Sequence, residues 1–242
     1  MKVFVAAAPN GLDAEAQMVT EYSIKKFTSV EPKITWLIDG THEEDPLYDW
    51  DMGLWETPYC GFRWAVPELC DFEGEALYIN FNNIVLSDLD ELMQIPWDED
   101  AVLMTTKKNW FNIIRFNNSK IQKYLPSIAD MKFASSAYEI CAKYFIENKS
   151  LVQWLPGNWS PDPAKCIEDL EDRRAVYYED LYNVYLKKQT YPRLSKTSTD
   201  HWFDQYINPE KGHDFTCELF DNYFNQALNA DYRVEKYINE PD

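Results

Sequence analysis

Residues 76–92 read ALYINFNNIVLSDLDEL, a run that passes from apolar to polar and back. The first part, Ala76 to Asn80, is a mostly apolar run that predicts a buried strand. A second apolar run follows at 84–86, and Asp88 can cap a short helix that ends at Leu92. The segment therefore predicts a strand, a polar connection and a short acidic helix.

The N-terminal residues predict a βαβ unit. Residues 3–7 form a short apolar run that ends in the loop sequence Pro-Asn-Gly at 9–11. Apolar residues at helical spacing follow between Asp13 and Lys26, and a second strand is predicted from Ile34 to Ile38. Because parallel strands are joined by such a crossover helix, a parallel sheet is expected.

The rest of the chain continues this alternation. Strands are predicted at 101–106 and 111–116, and the second of these is apolar on both faces, which indicates a central position. Helices are predicted at about 119–131 and 135–148, strands at 152–155 and 175–178, and a final helix at 217–228. No internal repeat or low-complexity linker interrupts the pattern. A single domain over residues 1–242 is predicted.

Composition restricts the possible partners. Forty-one acidic and twenty-three basic residues give a net charge of −18, which repels nucleic acid and anionic membranes at long range. Five cysteines without a CxxC pair predict neither a disulfide framework nor a zinc site. No apolar run is long enough for a signal peptide or a membrane span. These features predict a cytoplasmic protein.

The segment at 76–92 resembles the metal-site segment of family 8 glycosyltransferases. That segment reads Ala-hydrophobic-Tyr-hydrophobic-Asp-x-Asp, followed by an apolar run and a short acidic helix ending in Glu-Leu. Three other segments, at 22–26, 57–69 and 155–159, resemble the first helix, the arginine-bearing helix and the Leu-Pro-x-x-Trp turn of the same family. The resemblance runs from about residue 3 to about residue 180.

The resemblance implies an α/β fold of the GT-A (Rossmann-like) type, with a mixed, mostly parallel central sheet flanked by helices. It divides the domain into a nucleotide-sugar-binding half at about 1–118 and an acceptor-side half with the C-terminal helix at about 119–242. A donor site is expected at the carboxyl ends of the strands. The implied donor-binding residues are Ala7, Ala8, Pro9, Asn10, Arg63, Asn80, Phe81 and Asn82. Lys187 and Lys188 are candidates for diphosphate contacts.

The metal ligands of the family are replaced in this sequence. In the family, two aspartates and a later histidine hold Mn²⁺ or Mg²⁺; the matching residues here are Asn80, Asn82 and Tyr177. All three are neutral, so metal affinity is expected to be weak or absent. Basic side chains, with Arg63 first among them, would then neutralise the leaving diphosphate. No catalytic nucleophile can be identified.

The resemblance implies a hexosyl- or pentosyltransferase that uses a nucleotide sugar, by resemblance a UDP-sugar, and an unidentified acceptor. Two alternatives stay open. One is a catalytically inactive GT-A protein that binds a ligand or a partner protein. The other is sugar transfer to modified DNA bases, which the net charge of −18 disfavours unless the acceptor cleft is locally basic.

Overall fold

The computed structural model describes residues 1–7, 14–38, 40, 42–50, 61–81, 83–107, 111–134, 137–159, 174–177 and 213–238. These residues contain both strands and helices, in mixed order along the chain. They are β1 (Lys2–Ala6), β2 (Lys33–Leu37), β3 (Glu75–Asn80), β4 (Asn83–Val85), β5 (Leu103–Thr105), β6 (Ile113–Asn117), β7 (Val152–Trp154) and β8 (Ala175–Tyr177).

The helices are mostly short. They are α1 (Ala14–Phe27), α2 (Val66–Leu69), α3 (Leu89–Met93), α4 (Asn118–Ile121), α5 (Ile128–Phe133), α6 (Tyr144–Glu147) and α7 (His213–Asn229). A π-helical turn, Glu139–Lys143, precedes α6, and a 3-10 turn, Val234–Tyr237, follows α7. No helix in the described residues has the length and apolar character needed to cross a bilayer.

Six strands form the central sheet, in the order β2-β1-β3-β6-β5-β7. The pairs of β1 with β2, β1 with β3, and β5 with β7 are parallel, whereas β6 runs antiparallel to both of its neighbours. The predicted mixed, mostly parallel sheet is confirmed. The strand predicted to be central, β6, is fourth of six and is also the reversed one.

The two faces of the sheet belong to different cores because side chains alternate along a strand. Val3, Val5, Leu77 and Ile79 face the side that Ile24 of α1 covers. Phe4, Ala6, Ala76 and Tyr78 face the opposite side, where Trp64 and Phe145 are fully buried. Helical layers therefore cover both faces of the sheet. This burial explains why β1 and β3 read as nearly continuous apolar runs.

A second, two-stranded sheet lies beside the first. β4 pairs antiparallel with β8, and Asn83 is opposite Tyr177 in the register. α7 packs against α1 through Ala16, Val19 and Tyr223, and it covers the outer face of this small sheet through Ile84 and Val176. The C-terminal segment and α1 thus enclose β4, which follows directly after β3.

Two predicted helices are interrupted in the structure. The helix predicted at 119–131 is divided into α4 and α5, because Pro126 lacks an amide hydrogen and restricts Leu125 to the extended conformation that it adopts. The helix predicted at 135–148 contains the π-helical turn before α6. A π turn carries no composition signal that periodicity could detect.

Phe145→Ala tests the core on the Trp64 face. The Phe145 ring is fully buried and stacks on Trp64 with centroids 5.5 Å apart and planes 8° from parallel. Removing it should lower the free energy of unfolding by about 3–5 kcal/mol in urea denaturation. Phe133→Ala is the matched control, because Phe133 is 63% exposed and its loss should cost under about 0.5 kcal/mol. Equal losses in the two variants would contradict this core.

Candidate functional site

Three strand ends meet at one edge of the central sheet. β1 and β3 are parallel, and Ala6 is opposite Asn80, so both strands finish at the same level. The antiparallel β6 starts there, and the backbone N–H of Asn80 donates to the backbone carbonyl of Asn112 at 2.9 Å. The carboxyl edge of β1 and β3 is where open α/β sheets bind ligands. This edge therefore holds the candidate site.

The Asn80 side chain uses both ends of its amide. Its Oδ1 accepts a hydrogen bond from the Tyr78 hydroxyl, and its Nδ2 donates to Asn112 Oδ1 at 2.8 Å. An aspartate here would have no N–H to offer Asn112. The asparagine thus fits its neighbours as an amide, with its oxygen already in use.

Arg63 lies beneath the same edge. It is only 7% exposed, its Nη1 donates to the Phe111 carbonyl at 2.8 Å, and its guanidinium lies 5.2 Å from the centre of the Tyr78 ring. No described residue accepts a hydrogen bond from its Nε. The backbone of Phe111 has a φ of 68° and is held further by its N–H, which donates to Thr105 Oγ1 at 3.0 Å. Arg63 is therefore a buried cation with hydrogen-bonding capacity to spare.

Asn112 completes this arrangement, and sequence reasoning did not single it out. It is 5% exposed, and its Nδ2 has no acceptor among the described residues. Arg63, Tyr78, Asn80, Phe111 and Asn112 form a connected group, which we call the Asn80 network. The one signal for Asn112 in the sequence is that it is a polar residue at the start of an otherwise apolar strand. The network thus contains two buried donors without an acceptor among the described residues, Arg63 Nε and Asn112 Nδ2.

Helix α1 fixes the turn that follows Asn80. The Thr20 hydroxyl lies within hydrogen-bond distance of the carbonyl oxygens of Phe81 and Asn83, the latter at 3.0 Å. Asn83 Nδ2 donates to the Asn80 carbonyl at 3.0 Å, and the Val85 amide donates to Ser23 Oγ at 3.0 Å. Hydrogen bonds from the Asn83 side chain and from α1 thus hold the polar turn after β3.

Two of the three replaced metal-ligand positions lie in the described part of the chain. Asn80 ends β3, and the β4–β8 register sets the backbone of Tyr177 opposite Asn83. In the described part of the chain, no three His, Cys, Asp or Glu side chains converge as metal ligands would.

The other predicted site residues are distributed as follows. Ala7 is buried at the end of β1, and its amide donates to the Leu37 carbonyl at 3.0 Å. Phe81 is half-buried in the turn. The remaining predicted residues lie outside the described residues: Ala8, Pro9, Asn10, Asn82, Lys187 and Lys188.

Comparison with known sequences gives a partial likeness. No family model matches the chain. Protein CDI of Arabidopsis thaliana is 26% identical over 137 residues, which cover 48% of this chain and 52% of that protein. The match thus spans about half the length of this curated relative.

Solved structures give a likeness of fold. GlyE, a glycosyltransferase of Streptococcus pneumoniae, has a TM-score of 0.58 at 13% identity, covering 99% of this chain and 62% of its own. The bifunctional glycosyltransferase WbbM has a TM-score of 0.53 at 12% identity, and the match covers 74% of this chain and 45% of WbbM. The third structure is the galactosyltransferase LgtC in complex with donor and acceptor sugar analogues. Its TM-score is 0.50 at 11% identity, and the match covers 93% of this chain and 96% of LgtC. The chain has the fold of the GT-A glycosyltransferases.

Thr20→Val tests the attachment of the turn to α1. The substitution removes the hydroxyl that lies against the half-buried carbonyl of Phe81 and the buried carbonyl of Asn83, so the free energy of unfolding should fall by about 1–3 kcal/mol. Thr28→Val in the same segment is the control. Its hydroxyl serves the Ile24 carbonyl, which keeps a bond from the Thr28 amide. Urea denaturation measures both, and an equal or larger loss for Thr28→Val would contradict the role of Thr20.

Proposed function

We propose that the chain is a glycosyltransferase of the family 8 type that transfers a sugar from a nucleotide-sugar donor to an acceptor. The observation that carries the proposal is the Asn80 network, which offers a buried guanidinium and a free amide donor at the carboxyl edge of a GT-A sheet. A nucleoside diphosphate is rich in acceptor oxygens and negatively charged. It therefore suits both donors.

The donor would lie across the ends of β1 and β3. The base would contact the segment 7–10, of which Ala7 is described, and the diphosphate would approach Arg63. When the glycosyl bond breaks, negative charge grows on the leaving diphosphate, and a preorganised cation stabilises that charge. The planar guanidinium can donate to two oxygens at once and stays charged at every physiological pH.

The proposed reaction has little or no requirement for a metal ion. Two neutral amides and a tyrosine stand where the family has two aspartates and a histidine, and the oxygen of Asn80 accepts from Tyr78. An ion would compete with that hydroxyl for electron density on a neutral oxygen, and it would find no carboxylate at the three replaced positions. Mn²⁺ or Mg²⁺ would thus bind weakly, and Arg63, assisted by Lys187 and Lys188, would supply the counter-charge.

A second candidate is a protein that binds a nucleotide sugar without turnover. The observation that favours it is that Tyr78 and Asn112 hold the Asn80 side chain, a neutral amide that is neither a base nor a nucleophile. The two candidates share one binding site. They differ only in whether the donor is consumed.

Arg63→Ala tests the proposed site. Arg63 would make charge-assisted hydrogen bonds to the diphosphate, each of which contributes about 1.5–3 kcal/mol, so donor affinity should fall by about tenfold or more. Calorimetric titration with UDP and UDP-glucose measures the affinity, and release of free glucose from UDP-glucose measures turnover. Arg63→Lys should recover only part of the lost affinity, because lysine keeps the charge but cannot donate to two oxygens from one planar group.

Two controls separate binding from folding. Arg233→Ala removes a guanidinium that is 57% exposed in the C-terminal segment, and it should leave affinity unchanged. The melting temperature of Arg63→Ala shows whether the variant is folded at the titration temperature. A folded Arg63→Ala protein that binds UDP as tightly as the wild type would refute the site. Binding without glucose release would favour the second candidate.

A further inference from the structure

A separate cleft lies on the outer flank of α1. It has a volume of about 270 Å³ and lies between α1, β2 and the 3-10 turn Val234–Tyr237. β2 is the outermost strand of the sheet on this side, two strands away from β3. On α1, Gln17, Glu21 and Lys25 line the cleft at four-residue spacing, whereas Thr20 faces the turn after Asn80. The cleft and the Asn80 network are therefore distinct sites that share one helix.

One wall of the cleft carries two cations around one buried anion. Glu21 Oε1 accepts from Lys25 Nζ at 2.6 Å and lies 3.3 Å from Lys236 Nζ, while Oε2 accepts from the Tyr237 hydroxyl at 2.9 Å. Burial raises the pKa of Glu21, but its contacts with Lys25, Lys236 and Tyr237 outweigh burial and bring that pKa below its usual value. With Glu21 ionised, the carboxylate and the two ammonium groups sum to +1, and Glu31 is a further carboxylate within electrostatic range of Lys25.

The lysines have donors left for a ligand. An ammonium has three N–H groups, and it can direct only one of them at a given oxygen. The side chains of Lys25 and Lys236 are 42% and 63% exposed, so the other N–H groups are open to the cleft. Glu21 Oε1 accepts from both lysines, whereas Oε2 accepts from Tyr237 and has a second lone pair for a ligand hydroxyl. The wall thus recognises an anion and a hydroxyl group together.

The opposite wall is flat and apolar. Ile34, Trp36 and Ile38 line it from one face of the β2 segment, since they alternate along the strand. Trp36 is half-buried, and the Tyr237 ring meets it edge-on with centroids 6.0 Å apart. A half-buried indole offers an apolar platform for the C–H face of a small ring.

We propose that this cleft binds an anionic monosaccharide, either a sugar phosphate or a uronic acid. The acidic group lies between Lys25 and Lys236, the sugar ring packs on Trp36, and one ring hydroxyl donates to Glu21 Oε2. A volume of about 270 Å³ is just below the range of roughly 300–1,000 Å³ for drug-sized ligands, which suits a single ring and excludes a whole nucleotide sugar. The choice of a sugar as the body of the ligand rests on the proposed sugar-transfer function.

Ligand-observed NMR titration tests this cleft. The probes are glucose 6-phosphate, glucuronate, neutral glucose and inorganic phosphate. We expect the wild type to bind at least one of the two acidic sugars at least tenfold more tightly than glucose and inorganic phosphate. The acidic sugar that binds identifies the acidic group that the cleft selects. Equal affinity for inorganic phosphate, equal affinity for glucose, or no binding of either acidic sugar would overturn the proposal.

Variants locate the binding. Lys236→Met and the double variant Lys25→Met/Lys236→Met should each weaken binding at least tenfold, whereas Lys149→Met, at an exposed position beside β7 on the opposite edge of the sheet, should not. Trp36→Phe should weaken it less, because a smaller ring remains. Unchanged affinity in folded Lys236→Met would also overturn the proposal.

Arg63→Ala separates the two sites. It should retain acidic-sugar binding, and UDP should not compete for the cleft. Competition by UDP would show that the acidic sugars occupy the donor site instead. If UDP fails to bind at all while the lysine variants still lose the acidic sugar, the proposed donor site is wrong and the cleft stands.

Discussion

The guanidinium of Arg63 is a buried positive charge at the carboxyl edge of the sheet. A cation that is taken out of water is costly unless hydrogen bonds and opposite charge compensate it. The described residues give Arg63 one carbonyl, the face of the Tyr78 ring, and no acceptor for Nε. The described side chains of the network around Arg63, on Tyr78, Asn80 and Asn112, are uncharged. In the proposed function, the diphosphate of the donor would supply the compensating negative charge.

Helix α1 connects the parts of the molecule that matter for function. One of its faces holds the turn after Asn80 through Thr20 and Ser23, and another holds the C-terminal 3-10 turn through Glu21. The helix is also the cover of one face of the sheet. Helix α1 therefore contacts both the turn after β3 and the C-terminal 3-10 turn that lines the outer cleft.

Much of this fold could be predicted from the sequence because burial on both faces of a strand leaves a continuous apolar run. β1, β2 and β3 were predicted to within a residue or two at each end, and the parallel direction of β1 and β2 followed from the helix between them. The reversal of β6 could not be predicted, since its apolar pattern is the same in either direction. The role of Asn112 was missed for a related reason. Its meaning depends on the pairing with Asn80, which is a contact between residues 32 positions apart.

The central claim is that the donor edge binds a nucleoside diphosphate through Arg63 and the Asn80 network with no bridging metal. A crystal structure of the chain grown with UDP and Mn²⁺ tests it most directly, because anomalous scattering locates manganese independently of the nucleotide. The account predicts UDP at the ends of β1 and β3, with diphosphate oxygens within hydrogen-bond distance of Arg63 and no manganese peak between them. A manganese ion bridging the diphosphate to Asn80 or Asn82, or UDP bound elsewhere, would contradict the account.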